Sequence, residues 1–267
     1  MSGPAHVRPA AVAGSFYPGD ARVLAGTVEH LLASTAVRPD PTAPLRALIV
    51  PHAGFVYSGP VAASAYRRVD PGAVRRVLLL GPSHRTPLRG LALPTVDRFA
   101  TPLGDVVVDA AMRDDLLGAG LAFADDAPHR LEHSLEVQLP FLQAVLPGVP
   151  VLPVAVGETR AEDVAAAIAA VWEPSTLVVV SSDLSHYEPY AVARRHDHAT
   201  ADAIVRLAPD AVGDLDACGC FAVRGLLLAA DGDDLGVRVL DLRSSGDTAG
   251  DRDRVVGYGA FAFEAAA

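Results

Sequence analysis

The sequence contains no lysine, and all 22 basic residues are arginine. With abundant alanine, valine, glycine and proline, this reads as coding bias and carries no mechanistic meaning. Net positive charge is also absent. The formal charge of −10 excludes the broad basic face that non-specific binding to nucleic acid or to an anionic membrane requires. Cysteine is scarce: Cys218 and Cys220 are one residue apart, too close for an ordinary structural disulfide and too few for a zinc cage. A reducing cytoplasm is the expected location. No apolar run approaches the ~18 residues of a membrane span, and the N-terminus lacks the charged and apolar regions of a signal peptide.

Core-forming material is plentiful. Hydrophobic residues make up 51% of the 267 positions and charged ones 20%, which argues against disorder and fits one domain over residues 1–267.

Three stretches share one design. Leu45 to His52 (LRALIVPH) is an apolar run broken by proline, with a histidine at its tip. Arg75 to His84 (RRVLLLGPSH) and Leu177 to His186 (LVVVSSDLSH) repeat it. A buried strand that delivers a polar residue at its C-terminal end is how an open α/β sheet builds a site, because ligands bind beyond the carboxyl ends of the strands.

The remaining chain alternates helix and strand. Pro18-Gly19-Asp20 signals a helix in which Val23, Leu24, Val28, Leu31 and Leu32 recur at helical spacing, with His30 on the polar side. A helix over Val61–Val69 joins the first two strands into a βαβ unit, so His52 and His84 should emerge from the same end of the sheet. Residues 86–108 read as a hairpin-like insertion and Ala110–Leu117 as a helix. Strands are expected at Val151–Val156, Leu177–Ser181, Gly236–Leu242 and Arg254–Phe263. Helices are expected at Arg160–Val171, 189–207 and Cys218–Ala230. This pattern predicts an α/β fold with a mostly parallel or mixed central sheet and helices on both faces.

Residues 128–147 hold a dense polar group: His129, Glu132, His133, Glu136 and Gln138. On a helix Glu132 and Glu136 share a face, which suits either an acidic helix N-terminus or a site. Pro140 either kinks that helix or opens its main segment. His196 and His198 are two apart rather than the four of a helical metal clip, and read as solvated. Cys218 reads as a packed thiol, the alternative being a reactive one at a helix start.

Strand-end loops thus present His52, His84, the pair Asp183 and His186, and Asp247. Two imidazoles and one carboxylate on a triangle with open positions is the ligand set of non-haem Fe(II) oxygenases. Asp183 and His186 are then left as an orienting group and an acid/base.

The motifs Pro51-His52-Ala53-Gly54, Gly81-Pro82-Ser83-His84, Glu132-His133-Ser134-Leu135-Glu136, Ser181-Ser182-Asp183-Leu184-Ser185-His186, Cys218-Gly219 and Ser244-Ser245-Gly246-Asp247 occur in this order. The series resembles the Memo family, named for a mediator of ErbB-driven cell motility. Ala13-Gly14-Ser15-Phe16-Tyr17 and Val256-Gly257-Tyr258-Gly259-Ala260 extend the likeness over nearly the whole chain. Prokaryotic members of the family are labelled AmmeMemoRadiSam system protein B. The resemblance implies a fold like the catalytic subunit of class III extradiol dioxygenases. It also implies a metal triad of His52, His84 and Asp247, with Asp183, His186 and His133 lining the pocket. At position 247 the eukaryotic pattern has cysteine and the dioxygenases glutamate. The aspartate here is a harder donor than thiolate and favours iron(II) or manganese over copper(I).

The function expected is metal-dependent redox chemistry, with Fe(II) the leading cofactor, on a small molecule or peptide. The alternative is a non-catalytic module that binds a peptide or protein in the same pocket. True catechol ring cleavage is weaker, since no aromatic substrate pocket is legible. The family label implies an AMMECR-type domain and a radical S-adenosylmethionine protein as partners; nucleic acid and membrane are not expected.

Overall fold

Four strands that are almost wholly buried form the middle of the molecule: β2 (Leu45–Val50), β9 (Thr176–Ser181), β3 (Arg76–Pro82) and β8 (Val151–Val156), parallel and in that order. Helices cover such strands on both faces, which explains why they read as continuous apolar runs. The computed structural model that shows this describes residues 5–265.

The other strands are β1 (Val7–Arg8), β4 (Leu91–Leu93), β5 (Arg98–Thr101), β6 (Gly104–Val107), β7 (Phe123–Ala124), β10 (His186–Glu188), β11 (Gly236–Ser244) and β12 (Val255–Glu264). The helices are α1 (Ala21–Ser34), α2 (Phe55–Tyr66), α3 (Ala110–Gly118), α4 (Ala127–Arg130), α5 (Leu139–Val145), α6 (Ala161–Val171), α7 (Tyr190–Val205) and α8 (Cys220–Gly232). The main sheet runs β10-β12-β2-β9-β3-β8-β4-β7, with β11 paired to β12. It is mixed: β12 is antiparallel to β2, and β4 to β8. The expected insertion after His84 contributes β4, which lies between β8 and the edge strand β7, while the hairpin β5-β6 pairs with β1 in a small separate sheet.

Two groups of helices flank the sheet. Helix α2 packs on β2, β11 and β12 and is covered by α1 and α5; α8 packs on β3 and β9 beside α6, which also meets α3. Asp20 caps α1 by accepting the Val23 N–H, as its sequence signal predicts. No helix among the described residues is long and apolar enough to cross a membrane.

Three expectations need correction. Strands β2 and β3 are parallel but not neighbours, because β9 lies between them. Helix α2 starts at Phe55 rather than Val61 and passes through Gly59-Pro60. Glycine there serves packing: a Cβ on Gly59 would lie 2.9 Å from Leu31 of α1. Residues 132–136 are not a helix, since α4 ends at Arg130 and only a 3-10 turn at Glu136–Gln138 precedes α5. Pro140 stands in the first turn of α5, where its missing N–H costs nothing.

A candidate metal centre at the strand tips

Because β2, β9 and β3 are parallel, the residues after them leave from one end of the sheet. His52, Asp183 and His84 follow at two residues past each strand. A fourth segment, the turn 131–135, reaches the same place. Gly81 permits it: a Cβ there would lie 3.0 Å from both Leu135 and the Ser134 hydroxyl, which donates to the Pro82 carbonyl.

His52, His84 and His133 form the cluster. Each offers a ring nitrogen within 4.8 Å of those of the other two. Ring centroids are 5.2 Å apart for His52 and His84, 5.4 Å for His52 and His133, and 4.6 Å for the stacked pair His84 and His133.

Hydrogen bonds set which nitrogen of His52 is free. Tyr66 donates to Gln138 Oε1, so the Gln138 amide donates to the Pro51 carbonyl and to Ser181 Oγ. The single Ser181 proton goes to the Ser134 carbonyl. Ser181 Oγ therefore accepts from His52 Nδ1, 2.9 Å away, leaving the lone pair on Nε2. Burial and then the charges of His84 and His133 push the His52 pKa well below the usual imidazole value, so the ring is neutral.

Glu132 does the corresponding work for the His84 ring and holds the backbone of His133. One oxygen accepts the His84 N–H at 2.6 Å. The other lies 2.9 Å from His84 Nδ1 and accepts the N–H groups of His133 and Ser134, each at 2.9 Å. Burial raises its pKa, but the His133 and His84 rings outweigh that and hold it far below the carboxylate range. An ionised Glu132 keeps the His84 proton on Nδ1 and frees Nε2. His133 Nδ1 is 3.1 Å from the same oxygen yet too far off line for a hydrogen bond, and is a buried nitrogen without a partner. Glu132 was read from sequence only as half of an acidic pair. The signal for it was the density of glutamate and histidine between 129 and 138, which periodicity does not convert into a contact.

Asp183 is buried, and its Oδ1 accepts the His52 N–H at 2.7 Å. Burial raises its pKa against the opposing effects of that bond and of His186. His186 is exposed at the rim, near enough for its charge to act on His52 and Asp183. Cys218 lines the wall: its Sγ is 3.3 Å from His52 Nε2 and accepts the Asp183 N–H. Burial, then Asp183, push its pKa up.

Asp247, expected as the third corner, does not join the cluster. It ends the 3-10 turn Ser245–Asp247, where Oδ2 accepts the N–H and hydroxyl of Ser244 and Oδ1 accepts the Tyr190 hydroxyl at 2.6 Å. Burial raises its pKa, but Tyr190 and Ser244 prevail and lower it. His196, read as solvated, bridges Glu188 at 3.2 Å and Asp216 at 2.7 Å.

The sequence matches the Memo-like protein family over residues 8–262. This chain belongs to the Memo family. It is 36% identical to a MEMO1 family protein of Aquifex aeolicus over 265 residues, covering 94% of this chain and 97% of the relative. It is 35% identical to a MEMO1 family protein of Ignicoccus hospitalis, covering 96% and 98%. Among solved structures it is similar in fold to an uncharacterized protein of Escherichia coli K12, JW3007, with a TM-score of 0.50, 10% identity, and coverage of 80% of this chain and 99% of that one. For this Memo-family chain the donors fit a divalent ion. Imidazole nitrogens on tetrahedral bonds lie about 3.3 Å apart, so movements of no more than about 1.5 Å close the cluster around it.

Proposed function

We propose that His52, His84 and His133 hold a divalent metal ion and that the protein carries out metal-dependent redox chemistry on a small molecule at this centre. The observation that supports the reading is the convergence of three imidazoles, two of which have their far nitrogens held, His52 by Ser181 and His84 by Glu132. Three neutral nitrogens suit several ions. Iron(II) is the one we favour among them, with the hard Asp183 carboxylate against the His52 backbone.

When bound, such an ion supplies Lewis acidity and, as iron, a one-electron couple. The chain's own part is separate. Asp183 holds the His52 backbone, and burial raises its pKa beside the cluster. His186 at the rim is placed to exchange a proton with solvent. Phe16 lies over His133 at 4.6 Å between ring centroids and shields that side from water.

Anaerobic titration with Fe(II) tests the reading. About one ion per chain should bind, as three ligands and open positions imply, and His52→Ala should abolish binding. Oxygen uptake by the loaded protein with candidate substrates supports the redox role. Tight metal binding without any uptake favours the binding module. Stoichiometric binding by His52→Ala rejects the centre itself.

A further inference from the structure

Strand β12 is antiparallel to β2, so its first residues, and the loop before them, return to the end of the sheet where the histidines emerge. Strand β10 pairs with it there, His186 opposite Val256. At this junction arginines stack on tyrosines. The Arg252 guanidinium lies 4.4 Å from the Tyr190 ring centroid, Arg254 lies 5.2 Å from that of Tyr187, and Arg194 reaches Tyr190 from within α7 at 5.8 Å. Three cations thus gather on two rings in a chain of charge −10.

Of these three arginines, Arg252 alone has a carboxylate within ion-pair range among the described residues. Among the described residues, the Arg194 and Arg254 side chains make no hydrogen bond or ion pair, and Arg252 has only the Gly246 carbonyl at 3.4 Å and Asp247 at 3.9 Å. Elsewhere the arginines that pack against the core are paired, Arg68 with Glu264 and Arg76 with Asp109. Asp251 in the same loop turns its Oδ1 to the N–H groups of Asp253 and Arg254, closing the loop backbone. A guanidinium stacked on a ring uses its face and keeps its in-plane N–H donors, in the fork that suits an oxyanion.

The backbone beneath is strained. Tyr187 has φ +61°, in the left-handed region that a bulky residue rarely adopts. In that conformation its ring stands 5.8 Å from His186, and it is 62% exposed. An exposed tyrosine held in a costly conformation beside a residue of the site calls for a function, and support of Arg254 supplies one.

We propose that the ledge of Arg252, Arg254 and Arg194 binds the oxyanion, carboxylate or phosphate, of a small organic substrate and presents the rest of that molecule to the histidine cluster. The second half rests on the metal-centre reading; anion binding does not.

The test uses the metal-free full-length chain, titrated with inorganic phosphate and separately with acetate. Chloride holds ionic strength constant, and the tyrosine and arginine Nε–H resonances are followed by NMR. A saturable shift at Tyr187 and Tyr190 is expected, weakened about ten-fold in Arg252→Gln or Arg254→Gln and lost in the double variant. Tyr187→Phe keeps the ring and should keep binding, and Arg22→Gln on α1 should match wild type. Stronger binding of phosphate would make the substrate a phosphate ester; equal or stronger binding of acetate would make it a carboxylate. A response that never saturates, or that is unchanged in the double variant, overturns the proposal. So does loss of binding in His52→Ala, which would place the anion on the cluster instead. A protein that fails to bind metal yet passes this test rejects the metal reading alone.

Discussion

The two oxygens of Glu132 reach His84 twice, one accepting its backbone N–H at 2.6 Å and the other lying 2.9 Å from its ring Nδ1. One buried carboxylate thereby fixes both where His84 sits and which of its nitrogens is free. Carboxylates behind metal-bound histidines tune affinity by 10–100-fold. Glu132→Gln keeps the shape but not the charge, and its amide cannot accept at every contact. The metal dissociation constant should rise by about 10–100-fold in calorimetric titration, with the circular dichroism spectrum unchanged. An affinity within two-fold of wild type, an interval far inside that range, would show that Glu132 is structural only.

The third corner of the centre is decided by comparing His133→Ala with Asp247→Ala. His133 is already in the cluster, whereas Asp247 would have to release Tyr190 and Ser244 to enter. His133→Ala should therefore weaken metal binding by at least about ten-fold, the cost of one lost ligand bond or its support, and Asp247→Ala by less. Co(II) absorption reads the change in ligand set directly. The opposite ranking would return Asp247 to the triad.

The strand tips were legible because doubly covered strands leave unbroken apolar runs, and a histidine after such a run stands out. His52 and His84 follow from that pattern alone. What the pattern does not carry is long-range pairing: β9, about 130 residues after β2, inserts between β2 and β3 for reasons of sheet topology rather than local spacing. The segment 132–136 misled for a local reason. Glutamates four apart suggest a helix face, yet both are buried acceptors for distant groups, Glu132 for His84 and Glu136 for Arg8, Ala11, Val12 and Tyr17. His196 misled likewise, since its partners Glu188 and Asp216 come from other elements. Asp247 was traced to the correct end of the sheet, but the capping of its own turn takes the carboxylate.

A pH-dependent loss of stability is expected from His129. Its Nε2 donates to the Ala92 carbonyl, 3.0 Å away, while Nδ1 is buried without a partner. Burial pushes its pKa down to about 4 despite that bond. The folded state therefore refuses a proton that the unfolded chain accepts below about 6.5. Stability should fall as the pH drops from about 6.5 towards 4, by about 3 kcal/mol in all. Urea denaturation of metal-free protein across this range should show the slope, and His129→Gln should flatten it relative to wild type. Parallel curves for the two proteins would exclude His129 as the cause.

The strap formed by residues 8–17 depends on Glu136. This fully buried carboxylate pairs with Arg8 and accepts the N–H groups of Ala11 and Val12, at 2.7 and 3.0 Å, and the Tyr17 hydroxyl at 2.6 Å. The strap in turn lays Phe16 on His133 and gives its carbonyl to the N–H that starts α2. Removing one partner of a buried ion pair strands the other and costs about 3–5 kcal/mol. Glu136→Ala should therefore lower global stability by about that amount, and Arg8→Met/Glu136→Leu, which removes both charges, should recover part of it. The local effect is the sharper readout. Amide exchange at residues 11–17 should accelerate more in Glu136→Ala than exchange in β3 and β8, and the Phe16 ring should lose its upfield contact with His133. If exchange rises equally in the strap and the central strands, Glu136 acts on the whole fold and the strap is not a separate unit.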